Sequence, residues 1–166
     1  MKIKTSKEYS IGNSSSGQEV NIMNKIKRIK ALEIAEKVHK NQKRFNGTAY
    51  INHPIGVCRI LNEMGFVDDE TIISAMLHDV LEDCEPNEID ILREHIIKGF
   101  GNSVLITVDA LTKKCNNYDE YIDAVLLNKD AIPIKIADII HNLTENPKVR
   151  QKENYRKALP KLIMEY

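Results

Sequence analysis

Four ionisable residues stand close together near the middle of the chain: His78-Asp79 and, one helical turn later, Glu82-Asp83. The run before them, Glu70-Thr71-Ile72-Ile73-Ser74-Ala75-Met76-Leu77, is apolar enough to be buried on most sides. On a continuous helix, positions four apart share a face, so His78 is expected over Glu82 and Asp79 over Asp83. Four such groups ending a buried helix are costly unless a counter-charge compensates them. A divalent cation does this, because imidazole and carboxylate are good ligands for it. A solvated helix terminus is the alternative reading of the same residues.

Two further segments carry groups of the same kind. His53 stands directly before Pro54, which is expected at the first position of a helix, where its missing N–H costs nothing. The backbone before a proline is restricted, so His53 can point into a cleft rather than along a helix face; a helix-capping role is the alternative. Asp138 lies inside the apolar run Ile134-Lys135-Ile136-Ala137-Asp138-Ile139-Ile140-His141-Asn142-Leu143, with Asn142 one turn later on the same face. A carboxylate in a buried segment is paired, protonated or bound to metal. An ion pair with Lys135, one turn earlier, is the competing account.

The elements that must hold these residues are helical throughout. Ile29, Leu32, Ile34, Ala35 and Val38 mark one face of a first helix from about Asn24 to Gln42, which Asn46-Gly47-Thr48 breaks. His53-Pro54 opens a second helix that Gly65 ends, and Asp68 or Asp69 caps a third running through Asp83. Pro86 begins a fourth, and Gly99 to Gly101 separates it from a fifth ending near Thr112. A sixth covers Tyr118 to Leu127, a seventh runs through Leu143, and the last extends from about Gln151 to the end. No credible β alternation and no internal repeat is present. The expected class is all-α: a single compact bundle of about seven or eight helices spanning 25–166. Residues 1–24 read as a flexible extension, with a Gly12-Asn13-Ser14-Ser15-Ser16-Gly17 linker.

Composition narrows the class further. At 166 residues, 42% apolar and 29% charged, the chain suits one globular domain. Its formal net charge of zero provides no global field for nucleic acid or an acidic membrane, although a local cation cluster can still hold a small phosphorylated ligand. No apolar run approaches the ~20 residues needed to span a bilayer, and no signal peptide is expected. Cys58, Cys84 and Cys115 are odd in number and form no CxxC pair, which points to reduced thiols and a cytoplasmic location.

In order, these elements read H…HD…D, and the chain resembles the HD superfamily of metal-dependent phosphohydrolases. More narrowly, it is similar to the hydrolase domain of RelA/SpoT-type alarmone enzymes and their small stand-alone relatives. The matching residues are His39-Lys40-Asn41-Gln42-Lys43-Arg44 and Gly47, then Tyr50-Ile51-Asn52-His53-Pro54-Ile55-Gly56-Val57. They continue with Ala75-Met76-Leu77-His78-Asp79-Val80-Leu81-Glu82-Asp83, Phe100-Gly101, Leu111-Thr112-Lys113, Lys135-Ile136-Ala137-Asp138 and His141-Asn142-Leu143.

The resemblance implies one divalent ion, usually manganese, on His53, His78, Asp79 and Asp138. It implies a water-activating role for Glu82 and Asp83, and nucleotide contacts from Arg44 and Asn142 with phosphate assistance from Lys43. It implies removal of the 3′-pyrophosphate from guanosine tetra- or pentaphosphate, the ion lowering the pKa of its water and polarising a phosphoryl oxygen. A chain of this length leaves no room for a synthetase domain, so degradation alone is expected. Two positions depart from the alarmone pattern: Ile139 replaces a commonly basic residue, and Cys84 replaces a threonine. The alternatives are an HD phosphohydrolase for NADPH or a deoxynucleotide, and a non-catalytic nucleotide-binding domain. The expected partner is a small nucleotide, and a homo-oligomer is left open.

Overall fold

Local side-chain chemistry starts and stops the helices. The structure is a computed structural model that describes residues 15–166. The α-helices are α1 (Ser15–Val38), α2 (Asn52–Glu63), α3 (Asp69–Leu77), α4 (Val80–Asp83), α5 (Ile89–Phe100), α6 (Asn102–Leu111), α7 (Tyr118–Leu126), α8 (Ala131–Thr144) and α9 (Val149–Glu165). Asp68 caps α3 by accepting from the Thr71 N–H at 2.8 Å, and Asn117 caps α7 by accepting from Asp119 N–H at 3.0 Å. Gly101, at φ +99°, turns the chain between α5 and α6 in a conformation that favours glycine. Among the described residues the only β pairing is the isolated Lys43–Ala49 bridge.

Two apolar clusters meet across α3. One gathers Val57 and Leu61 of α2, Ile122 of α7, Ile132, Ile134 and Ile139 of α8, and Leu162 of α9. The other gathers Ala31 and Ala35 of α1 with Leu77, Val80, Ile96, Val104 and Val108. Ile72 and Ala75 of α3 belong to the first cluster, Ile73 and Leu77 to the second, so α3 is the wall they share. Each fully buried Leu, Ile or Val contributes roughly 1.5–3 kcal/mol, which fixes the C-terminal end of α3 between the two halves.

Several details differ from the sequence expectation, among them that Pro86–Glu88 form a 3-10 turn ahead of α5. Helix α1 begins at Ser15 rather than near Asn24, so part of the expected extension is helical; residues 1–14 lie outside the described residues. Its buried face is built on Ala31 and Ala35, and Ile29, expected on that face, is exposed. Helix α2 begins at Asn52, placing Pro54 third rather than first, still within the opening turn whose N–H groups have no helical partner. The expected third helix is two: α3 stops at Leu77, His78 and Asp79 form a turn, and α4 is the single turn after it.

Candidate metal centre

Three elements converge where that turn interrupts the helix. Helix α2 brings His53 in its first turn, the α3–α4 break brings His78 and Asp79, and α8 brings Asp138. His53 Nε2 lies 3.0 Å from Asp138 Oδ1 and 3.5 Å from Asp79 Oδ2. His78 Nε2 lies 3.1 Å from Asp79 Oδ2 and 3.9 Å from Asp138 Oδ1. His53, His78 and Asp138 are all buried, and each offers a ligand atom within 4.8 Å of the others. The break is what turns both His78 and Asp79 toward this cluster, since adjacent residues of an unbroken helix point about 100° apart.

The donor set fits a cation. His78 Nδ1 donates to the Ala75 carbonyl at 2.7 Å, which leaves Nε2 as the nitrogen facing the cluster. That Nε2 is buried and has no hydrogen-bond partner. An orphaned imidazole nitrogen beside two carboxylates is the arrangement a divalent ion would satisfy. Asp79 is steadied by the Tyr50 hydroxyl, which donates at 2.8 Å to Oδ2, the oxygen that also faces the two histidines.

Electrostatics follow the same pattern. Burial by itself would lower the His78 pKa, but the Asp79 and Asp138 carboxylates outweigh it and raise it to about 9. Burial likewise opposes the charge on Asp138, yet Lys135 and His53 hold its carboxyl well below the usual range. Burial, with the Asp79 and Glu82 charges, pushes Asp83 up to about 6.

The remaining sequence candidates are placed as follows. Arg44 and Asn142 come together: an Arg44 guanidinium N–H donates to Asn142 Oδ1 at 2.5 Å, and Asn142 Nδ2 donates to Asp138 Oδ1 at 2.6 Å. Arg44 Nε also donates to Glu145 Oε2 at 2.6 Å, and the guanidinium lies over the Tyr50 ring. Lys43 is exposed at the isolated bridge to Ala49, directly before Arg44. Glu82 and Asp83 diverge, contrary to the stacking expected on one continuous helix. Glu82 is exposed and accepts the Lys113 backbone N–H at 3.1 Å, whereas Asp83 is half-buried with Oδ2 3.5 Å from His39 Nδ1. The departures fall away from the cluster, since Ile139 is fully buried in the apolar core and Cys84 Sγ approaches the Leu81 carbonyl.

A family model for the HD domain matches residues 31–162, most of the chain. The chain belongs to the HD domain family. Over 150 residues it is 31% identical to a GTP pyrophosphokinase of Streptomyces coelicolor, an alignment covering 84% of this chain and 17% of that one. It is 35% identical over 145 residues to a guanosine-3′,5′-bis(diphosphate) 3′-pyrophosphohydrolase of Aquifex aeolicus, covering 82% and 20%. It is 36% identical over 127 residues to the protein of the same name in Borreliella burgdorferi, covering 69% and 18%. The chain thus spans a fifth or less of the length of these curated relatives. A solved structure described as a metazoan SpoT ortholog that hydrolyses ppGpp superposes with a TM-score of 0.70 at 28% identity, covering 82% of this chain and 85% of that one.

Several residues of this HD domain take roles that only the structure assigns. Lys135, the competing partner for Asp138 in the sequence, binds Oδ2 at 2.7 Å and leaves Oδ1 facing His53. Tyr50 and His39 carry no role in the sequence, and their contacts with Asp79 and Asp83 give them one. Glu145 carries no sequence signal at all, since its partner Arg44 lies 101 residues away. No described helix is long and apolar enough to cross a membrane, and all three cysteines are free.

Proposed function

We propose that this HD domain hydrolyses guanosine 3′,5′-bis(diphosphate)-type alarmones to GDP or GTP and pyrophosphate. The reaction uses one divalent ion, manganese in our reading, held by His53, His78, Asp79 and Asp138. The observation that carries the proposal is the buried, unpartnered His78 Nε2 beside Asp79, His53 and Asp138. The names of the relatives and of the structural neighbour support the substrate. When bound, the ion supplies Lewis acidity, polarising a phosphoryl oxygen and acidifying water.

The chain's own residues do the rest. Asp83 accepts the proton of the attacking water; a carboxylate raised to about 6 is charged at neutral pH yet more basic than an ordinary one. Glu82, fixed to the Lys113 backbone, orients the same water from the adjoining turn. The water oxygen bonds to the phosphorus that carries the ribose 3′ oxygen, the bond between them breaks, and the 3′ oxygen takes up a proton. Arg44 offers a planar, charged fork to phosphate, Asn142 presents an amide to ribose or base, and exposed Lys43 adds a cation. The free thiols of Cys58, Cys84 and Cys115 suit a cytosolic setting.

A nucleotide panel tests the assignment. Manganese-loaded protein is assayed against guanosine tetraphosphate, NADPH and deoxynucleoside triphosphates at equal concentration. The guanosine compound should be turned over and the others left intact; turnover confined to NADPH or deoxynucleotides overturns the substrate.

A further inference from the structure

His141, which no step above uses, packs against the back of His53. From the last turn of α8 its Nδ1 lies 3.0 Å from His53 Nδ1, the two rings meeting edge to face at 64°. Two imidazole nitrogens at that distance form a hydrogen bond only when one carries the proton and the other is bare. The opposite nitrogen of His53, Nε2, is the one that faces Asp138 and Asp79. To offer a lone pair there, His53 must keep its proton on Nδ1. The His53 side chain is 1% exposed, so water is a poor substitute as acceptor, and His141 Nδ1 is the group in place to receive that proton.

Helix α2 is shaped to admit this ring. A Cβ built on Gly56 would stand 2.0 Å from His141 Nε2 and 2.1 Å from its Cδ2, distances that no side chain tolerates. Glycine weakens the interior of a helix, so its presence one turn after His53 is explained by the imidazole it accommodates.

We propose that His141 is a positioning residue for His53. It accepts the Nδ1 proton and thereby fixes the tautomer whose Nε2 is bare toward Asp138, and Gly56 is the gap that lets it do so. The inference rests on the metal reading above for its purpose, but its geometry can be tested without metal.

The test uses the full chain with histidines labelled with ¹⁵N, in wild type and in the variants His141→Leu, His141→Asn and Gly56→Ala. Leucine fills the space without an acceptor, asparagine can place an oxygen near the lost Nδ1, and the methyl of Gly56→Ala displaces the ring. Long-range ¹⁵N–¹H spectra of the metal-free protein read the His53 tautomer, and calorimetry with Mn²⁺ alone reads affinity. Wild type and His141→Asn should carry the His53 proton on Nδ1, while His141→Leu and Gly56→Ala shift it to Nε2. Manganese affinity should fall roughly 10- to 100-fold in His141→Leu and Gly56→Ala and be largely restored in His141→Asn. A bare His53 Nδ1 in wild type, or wild-type manganese affinity in folded His141→Leu, overturns the proposal; a second proton on Nε2, facing Asp138 in the metal-free protein, does not bear on it. Failure of wild type to bind Mn²⁺ instead overturns the metal reading, and the spectra still decide the role of His141.

Discussion

Lys135 Nζ lies 2.7 Å from Asp138 Oδ2, three residues earlier on α8 and buried with it. The same ammonium sits 4.8 Å from the centre of the Tyr121 ring. One carboxylate therefore has its two oxygens divided, Oδ2 to a cation of the protein and Oδ1 toward the histidines.

Removing Lys135 should expose how much the cluster depends on compensation. Lys135→Met leaves the Asp138 charge buried without its ammonium, a change worth about 3–5 kcal/mol when one partner of a buried pair is lost. A divalent ion can take over that compensation, so Mn²⁺ should stabilise the variant more than wild type. Urea unfolding with and without Mn²⁺ checks both; a loss under about 1 kcal/mol would show that the pair is not the main compensation.

The same pair fixes a pH dependence. Asp138 is lowered in the folded state, so its stabilisation is present above the ordinary carboxylate pKa of about 3.9 and lost as pH falls through the lowered value. Lys135 is raised, so its contribution is present below about 10.4 and lost only as pH rises through its higher folded value. The stability gap between wild type and Lys135→Met should hold across neutral pH and narrow in strong acid. A gap that closes near pH 7 in metal-free urea titrations would contradict this.

Much of the fold was legible because one-dimensional patterns govern single elements. Asp68 announced the start of α3, and Gly101 announced the turn between α5 and α6. Asp138 stood out because a carboxylate in so apolar a run needs a partner, and the structure gives it three. The break at His78-Asp79 was not legible, because no glycine or proline marks it; it falls where the end of α3 meets both apolar clusters. Nor was the pairing of His53 with His141, 88 residues apart, since it exists only once α2 and α8 pack together. Periodicity names the buried face of a helix but not the residue opposite it.

Asp83 and Glu82 should separate under substitution. Asp83→Asn removes the proposed proton acceptor, so turnover should fall by about 10²–10⁴ while the manganese-induced thermal shift survives. Glu82→Gln keeps an oxygen for the Lys113 N–H and should lose less. Loss of the thermal shift in Asp83→Asn would make Asp83 a ligand, and equal losses in both variants would mean that the two carboxylates share the task.

Arg44 is forked between Asn142 and Glu145, a geometry a lysine cannot reproduce. Arg44→Lys should weaken nucleotide binding by roughly 1.5–3 kcal/mol, the worth of a charged hydrogen bond, with no change in manganese affinity. Calorimetry with a non-hydrolysed guanosine nucleotide reads the first, and metal titration reads the second. Unchanged nucleotide affinity would remove Arg44 from the binding set.

Asp138→Ala addresses the metal itself. A ligand that binds only the folded state stabilises by about 2.7 kcal/mol at 100 times its Kd, so Mn²⁺ should raise the Tm of wild type and leave that of Asp138→Ala unmoved. An equal shift in both proteins would take Asp138 out of the ligand set.

The most direct test follows the products of guanosine tetraphosphate labelled in its 3′-diphosphate. With Mn²⁺, wild-type protein should release intact labelled pyrophosphate and GDP in equal amounts, and chelation of the metal or Asp138→Ala should abolish release. Orthophosphate as the first labelled product, or pyrophosphate release that persists in Asp138→Ala, would contradict the assignment.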